Sequence, residues 1–247
     1  MPAVARANVG MTWLLRINTS IIPFNNDYFP SKSPFIGIVA PSAKAEFCSV
    51  KHLISKPMKT VLKIFLMAIA YLALFILGAW SGAIHPMCYA YIGAVLPLVS
   101  AFIYLYTCTL IRGFGAATVL NGFIFVLFLI AGEADVAYII GTVLLTALAE
   151  IIRKIKGYDT LKGVRWSFVP FAFSFFAYTL HWWTDTEGAL AAAVEEMPVG
   201  YDELMKPVID NIPMLIVVLV LTIPIAMLAM RLAERTMKKP AALFKII

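Results

Sequence analysis

The sequence predicts an all-α membrane protein, a bundle of six transmembrane helices with both termini on the cytoplasmic side. Three observations carry that reading. The chain of 247 residues is 62% hydrophobic and only 14% charged, far from the composition of a soluble domain. Its apolar residues gather into several long runs, and about 18 such residues are enough to cross a hydrocarbon core. Its basic residues sit at the ends of those runs, so the net charge of +6 reads as a topology signal rather than a nucleic-acid face. Nucleic acid is not an expected partner.

Residues 1–57 differ from the rest. They carry scattered prolines, an NTS sequon at Asn18 and aromatics without a sustained period. Arg16, Asn18 and Thr19 interrupt the only apolar run near the start, so a signal peptide is not expected. A poorly ordered leader is, with Met58 as a natural alternative start and 58–247 as the membrane domain. The first span is read over 59–80, opened by Pro57 and anchored by Lys59 and Lys63. The second covers 86–110, with Pro97 as a kink, and Arg112-Gly113 makes the turn that follows. The third, 116–131, closes at Gly132 and Glu133. The fourth, 136–152, ends at Arg153-Lys154. The fifth runs over 166–181, and the sixth over 212–230, with Pro213 and Pro224 inside it and Arg231 at its end.

Orientation follows from the loops. Lys51, Lys56, Lys59, Lys63, Arg112, Arg153, Lys154, Lys156, Lys162, Arg165, Arg231, Arg235, Lys238, Lys239 and Lys245 fall on one side, and Lys206 is the only basic residue on the other. The positive-inside rule makes the first side cytoplasmic. Glu133, Asp135, Asp185, Glu187, Glu195, Glu196, Asp202, Glu203 and Asp210 then face outward.

Residues 181–206 form the one long polar interval between spans, an extracellular amphipathic segment between helices five and six. Thr184 and Glu187 have capping-box spacing. Leu190, Val194 and Met197 share a helical face, Pro198 and Gly200 break it, and Tyr201, Leu204, Met205 and Val208 restart it.

No nucleotide-binding loop, HExxH or CxxC occurs, so the chain itself holds no cofactor and no catalytic role is assigned. Cys48, Cys88 and Cys108 lack metal-ligand spacing and read as buried free thiols. GAWSG, at 78–82, offers Ser81 to His181 as a serine-protease-like dyad. Its glycines read more simply as close helix packing. The alanines of the first span, Ala68, Ala70, Ala73 and Ala79, fit either internal packing or a docking face. Asn121 reads as a structural amide bonded to another helix. A stand-alone secondary transporter would place ionisable groups at mid-membrane and show repeats, and neither is evident.

The outer ends of the spans collect aromatic rings, carboxylates and histidines: Trp80, His85, Tyr89, Glu133, Asp135, His181, Trp182, Trp183 and Asp185. Interfacial anchoring explains many of the aromatics. Their convergence beneath a covering segment makes them the candidate small-molecule contacts, with Trp182, Trp183 and Asp185 nearest the lid. No metal site is expected.

Six short spans, a small-residue first helix and the absence of an ATPase motif resemble the S component of an energy-coupling factor (ECF) transporter. From residue 59 onward the chain resembles the Trep_Strep or MptD-type group. AAAVEEMPVGYDELM is similar to the outer helical stretch of that group, and MRLAERTMKKPAALFKII to its basic, apolar ending. The turn AGEADVAY departs from the glycine- and aromatic-rich turn expected there. The resemblance implies a multi-pass subunit of a prokaryotic plasma membrane that captures a micronutrient outside. It also implies a membrane-embedded T component, docked on Ala70, Ala73, Ala226 and Ala229, and two cytosolic ATPases that use ATP.

Overall fold

The computed structural model describes residues 43–244, all of whose regular structure is helical. Residues 1–42, with the sequon at Asn18, and the side chain of Cys48 lie outside that description. Helix α1 spans Ala43–Trp80, so the expected domain boundary at 57 falls within a helix. A short 3-10 turn leads to α2, Pro86–Tyr91, and a second one to α3, Pro97–Leu110. The expected kink of the second span is therefore a full break, bent by 41°. Helix α4, Ala116–Ala131, has the expected bounds and ends at Gly132 with φ 80°. That conformation lets the Gly132 amide close the last turn, and glycine adopts it without strain.

Helix α5 covers Val136–Lys156 and runs past the expected stop at Arg153-Lys154. The expected fifth span is three helices: α6 (Leu161–Ala172), α7 (Ser174–Thr179) and α8 (His181–Thr184). They are followed by α9 (Thr186–Glu196), α10 (Tyr201–Asp210), α11 (Ile212–Thr236) and the short α12 (Lys238–Ala241). Residues 58–83 (the end of α1 with the 3-10 turn after it), α5 and α11 are long and apolar enough to cross a membrane, and α2 with α3 makes a fourth if the bent pair is one span. At 16 residues, α4 reaches about 24 Å, short of a core of about 30 Å. Large apolar side chains point outward along these helices, among them Leu62, Phe65, Ile76 and Leu77 on α1 and Ile216, Val220 and Leu228 on α11. That is the surface a lipid phase accepts.

The extension of α5 has a physical cause. Glu150 and Arg153 are both buried, one turn apart near its C-terminal end. Glu150 Oε1 accepts from the amides of Ala117 (2.8 Å) and Thr118 (3.3 Å), the first turn of α4. Arg153 Nη2 donates to the carbonyls of Cys108 (3.3 Å) and Ile111 (2.6 Å), at the end of α3. Helix starts leave amides unpaired and helix ends leave carbonyls unpaired, and each of these charges matches the dipole end it meets. Arg153 is thus no free loop charge: it and Glu150 are buried near the end of α5 rather than at its middle.

At the same end of the bundle the guanidinium of Arg165 on α6 grips Glu234 on α11 through two bonds, of 3.2 and 2.6 Å. Asn121 donates to Thr146 (2.8 Å) and Ser174 (3.0 Å), joining α4 to α5 and α7 as expected of a structural amide. Cys108 is buried, but Cys88 is exposed because it lies on the outward face of the short α2.

The alanines expected to dock a partner divide. Ala226 and Ala229 are completely buried on α11, which packs against α3 and α6. They are internal packing residues and no surface for docking. Ala73 is exposed and Ala70 half-buried on α1.

Glycines are used where helices approach closely. A Cβ built on Gly78 would lie 2.7 Å from the Phe175 ring and 2.9 Å from Leu96, whereas one on Gly122 meets nothing within 4 Å. Gly78→Ala is therefore expected to cost about 1–3 kcal/mol through overpacking. Gly122→Ala, in the interior of α4, is expected to be neutral or to stabilise by up to about 1 kcal/mol. Thermal denaturation of the two variants in detergent checks both signs.

Candidate functional site

One end of the bundle holds a cavity of about 310 Å³, at the lower end of the range for small-molecule sites. Its wall is assembled from three places: the turn between α4 and α5, the α7–α8 region with Tyr89 of α2, and the underside of α9.

The turn Gly132–Asp135 is shaped by its own hydrogen bonds. Glu133 N–H closes on the Phe128 carbonyl at 3.0 Å. Asp135 Oδ1 accepts from Tyr138 N at 2.6 Å and so caps α5. The other carboxylate oxygen lies 3.5 Å from His181 Nδ1. That ring nitrogen is also 2.8 Å from the Tyr178 carbonyl, and since a carbonyl only accepts, Nδ1 carries the hydrogen. Capping holds Asp135 and orients His181 at the same time.

Tyr178, His181 and Trp182 follow one another at helical spacing and present adjoining rings. Tyr178 lies 6.1 Å from His181, centroid to centroid, and His181 lies 5.0 Å from Trp182. Tyr89 meets Tyr178 and Trp182 edge to face at 6.3 and 6.2 Å. Edge-to-face contacts place the positive rim of one ring on the negative face of another, which fixes ring orientation as well as burying area. Trp182 is only 3% exposed, its indole N–H turned to the Tyr89 oxygen.

The roof differs from the expected amphipathic helix. Asp185, not Thr184, caps α9: it leaves helical geometry and accepts from Gly188 N at 3.3 Å. Thr184 remains in α8, its hydroxyl donating to the Leu180 carbonyl at 3.2 Å, so the capping box does not form. The inward face of α9 is Ala189 and Ala193, while Val194 and Met197 are exposed and Leu190 is half-buried. Small side chains let the helix lie close to the rings beneath it. After the break at Gly200, with φ 83°, α10 buries Tyr201, Met205 and Val208 as its spacing predicts, and Ile209 in place of Leu204. Burial pushes the Tyr201 phenol pKa up.

Of the expected contacts, Tyr89, Glu133, Asp135, His181, Trp182 and Asp185 line the cavity together. Trp80, His85 and Trp183 do not. Trp80 is 74% exposed at the end of α1. His85 turns back on its own helix, Nδ1 accepting from Met87 N at 3.0 Å. Trp183 sits about 100° round the helix from Trp182, where its N–H donates to the Ile209 carbonyl at 3.3 Å and its ring lies 6.5 Å from Tyr91. The Tyr91 hydroxyl donates to the Val208 carbonyl at 3.3 Å. Together they tie down the last carbonyls of α10, so Trp183 positions the covering segment and does not line the site.

Two further lining residues were not singled out from the sequence, Tyr178 and Glu196. Tyr178 is legible in retrospect as the residue one turn before Trp182. Glu196 differs from the neighbouring outer-face acids only through the direction in which α9 is laid down.

Ser81 and His181 share no hydrogen bond. The Ser81 hydroxyl donates to the Gly78 carbonyl at 2.6 Å, and the imidazole is held by Tyr178 and Asp135. Among the described residues no group of three His, Cys, Asp or Glu side chains converges as a metal set.

Residues 58–240 match the Trep_Strep family, described as a hypothetical bacterial integral membrane protein. No curated protein and no solved structure matches the chain.

Proposed function

The chain belongs to the Trep_Strep family of bacterial integral membrane proteins, and from that premise we propose that it is the substrate-binding S subunit of an ECF-type micronutrient importer. The observation that supports this reading is a ligand-sized cavity walled by rings and carboxylates at one end of an apolar helical bundle, roofed by α9. In this reading the short α4 and the broken α6–α8 stretch are the third and fifth of six crossings, and both termini are cytoplasmic. The protein resides in the plasma membrane. The acidic face is extracellular, and α9 with α10 forms the lid. Ala70 and Ala73, on the less buried side of α1, meet the T component. Two cytosolic ATPases supply the energy, and the chain catalyses no reaction of its own. Inward release follows when the partners reorient the subunit.

Topology is tested by cysteine labelling. Val199, fully exposed in the α9–α10 connection, and Phe114, exposed in the α3–α4 connection, are replaced singly by cysteine in a Cys88→Ser background. A membrane-impermeant maleimide should label Val199→Cys in intact cells and Phe114→Cys only after permeabilisation. Labelling of both from outside refutes the arrangement. Function is tested by tandem-affinity purification with the T component and ATPases of the same cell, followed by reconstitution into proteoliposomes. ATP-dependent accumulation of a small molecule is expected. A chain that associates with no T component is not an S subunit.

A further inference from the structure

We infer that the cavity is built for an organic cation, an inference that rests on reading this cavity as the capture site. Its wall contains the carboxylates of Glu133, Asp135, Asp185 and Glu196, no lysine and no arginine, and His181 as its one basic side chain. His181 stands 3.5 Å from Asp135, so even a protonated imidazole offsets one carboxylate and leaves the others.

The carboxylates are divided by role. Asp135 and Asp185 spend one oxygen each on the helix amides they cap. The carboxylates of Glu133 and Glu196 form no hydrogen bond or ion pair with the described residues, and their charges act on the Tyr178 hydroxyl together with that of Asp135. Tyr178 thus marks the point on which the negative field from the α4–α5 turn and the field from the roof converge. Beside it stand Tyr89 and Trp182, rings whose faces attract a cation through their quadrupole. A neutral ligand gains little from this wall and an anion is repelled by it.

A second feature separates an organic cation from a metal ion. The volume of about 310 Å³ far exceeds the roughly 30 Å³ of one water. It suits a molecule of a ring or two, slid between aromatic plates, rather than a bare ion.

The test uses the full-length protein in detergent micelles and three probes of one skeleton: methoxyquinoline above the pKa of its ring nitrogen, its N-methyl cation, and its carboxylate derivative. Quenching of tryptophan fluorescence, with calorimetry as a second readout, gives the affinities. The cation is expected to bind at least about tenfold more tightly than the neutral ring, as cation–π and carboxylate contacts imply, and the carboxylate more weakly still. In the Glu133→Gln/Glu196→Gln double variant, which keeps both helix caps, the cation should lose about tenfold while the neutral ring is unchanged. Equal affinity for cation and neutral ring, preference for the anion, or no binding of the cation overturns the inference. The comparison on the unmodified protein stands even if the double variant fails to fold. Charge preference without T-component association removes the importer reading alone. T-component association with no charge preference removes this inference alone.

Discussion

Arg153→Ala should lower the apparent melting temperature of the purified protein more than removal of any solvent-facing charge. The substitution deletes the donor that satisfies Cys108 and Ile111 at the end of α3. It also leaves Glu150 as the remaining charge in a buried pocket. Charged hydrogen bonds contribute about 1.5–3 kcal/mol each, and removing one member of a buried charge set costs roughly 3–5 kcal/mol. Arg153→Lys should recover only part of that loss, because both bonds come from Nη2 at the far end of the guanidinium, and a compact, more strongly hydrated ammonium costs more to bury there. Glu150→Gln separates charge from hydrogen bonding: the amide oxygen can still accept from Ala117, while the dipole term at the start of α4 is lost. Detergent melts of the variants rank these effects. If Arg153→Ala melts within a degree or two of the parent, the cross-capping of α3 and α4 contributes nothing to stability.

The second large effect is expected at Tyr178. Its ring meets Phe75, Phe128 and Phe175 on its inner side and Tyr89, Tyr138 and His181 around the cavity. Tyr178→Ala opens a void among these rings, and aromatic truncations in packed cores cost about 3–5 kcal/mol. Tyr178→Phe keeps every ring contact and should melt close to the parent. The pair also separates the two roles of the residue in the quinolinium assay. Loss of cation binding in the alanine variant with retention in the phenylalanine variant assigns the effect to the aromatic face. Loss in both assigns it to the hydroxyl. Retention in both removes Tyr178 from the binding surface.

How far the site could be read from the sequence depends on the reach of each interaction. The Asp135 cap on Tyr138 N is written locally but was not anticipated, whereas the close of the third span at Gly132 is just as local and was legible. So was the break at Pro198–Gly200, and so was the burial of Tyr201, Met205 and Val208, because a period of 3.6 residues needs only the neighbouring turns. The adjoining tryptophans show the limit. Nothing within the chain near Trp182 and Trp183 says which faces the cavity, since neighbouring helical residues diverge by about 100° and both are equally apolar. Contact with Tyr89 for one and with Ile209 and Tyr91 for the other settles it. The roof was misread for a similar reason. Leu190, Val194 and Met197 are the more apolar stripe, but close approach over packed rings favours the smaller side chains of Ala189 and Ala193.

The sequence by itself determined that this chain is helical, apolar enough for a membrane and charged unequally at the ends of its runs, since those properties follow from composition and short-range periodicity. The tertiary structure alone decided what the charges and small residues are for. Arg153 looked like a cytoplasmic topology charge and is buried as a helix cap, because the carbonyls that bind it belong to residues 45 and 42 positions away. Ala226 and Ala229 looked like a docking surface and are interior, because α11 turns them toward the body of the bundle. Trp80 looked like a site residue and points away from the cavity, because α1 ends with that face outward. A sequence specifies which side chains are available to a face. Which face meets a partner is set by helices that arrive from elsewhere in the chain.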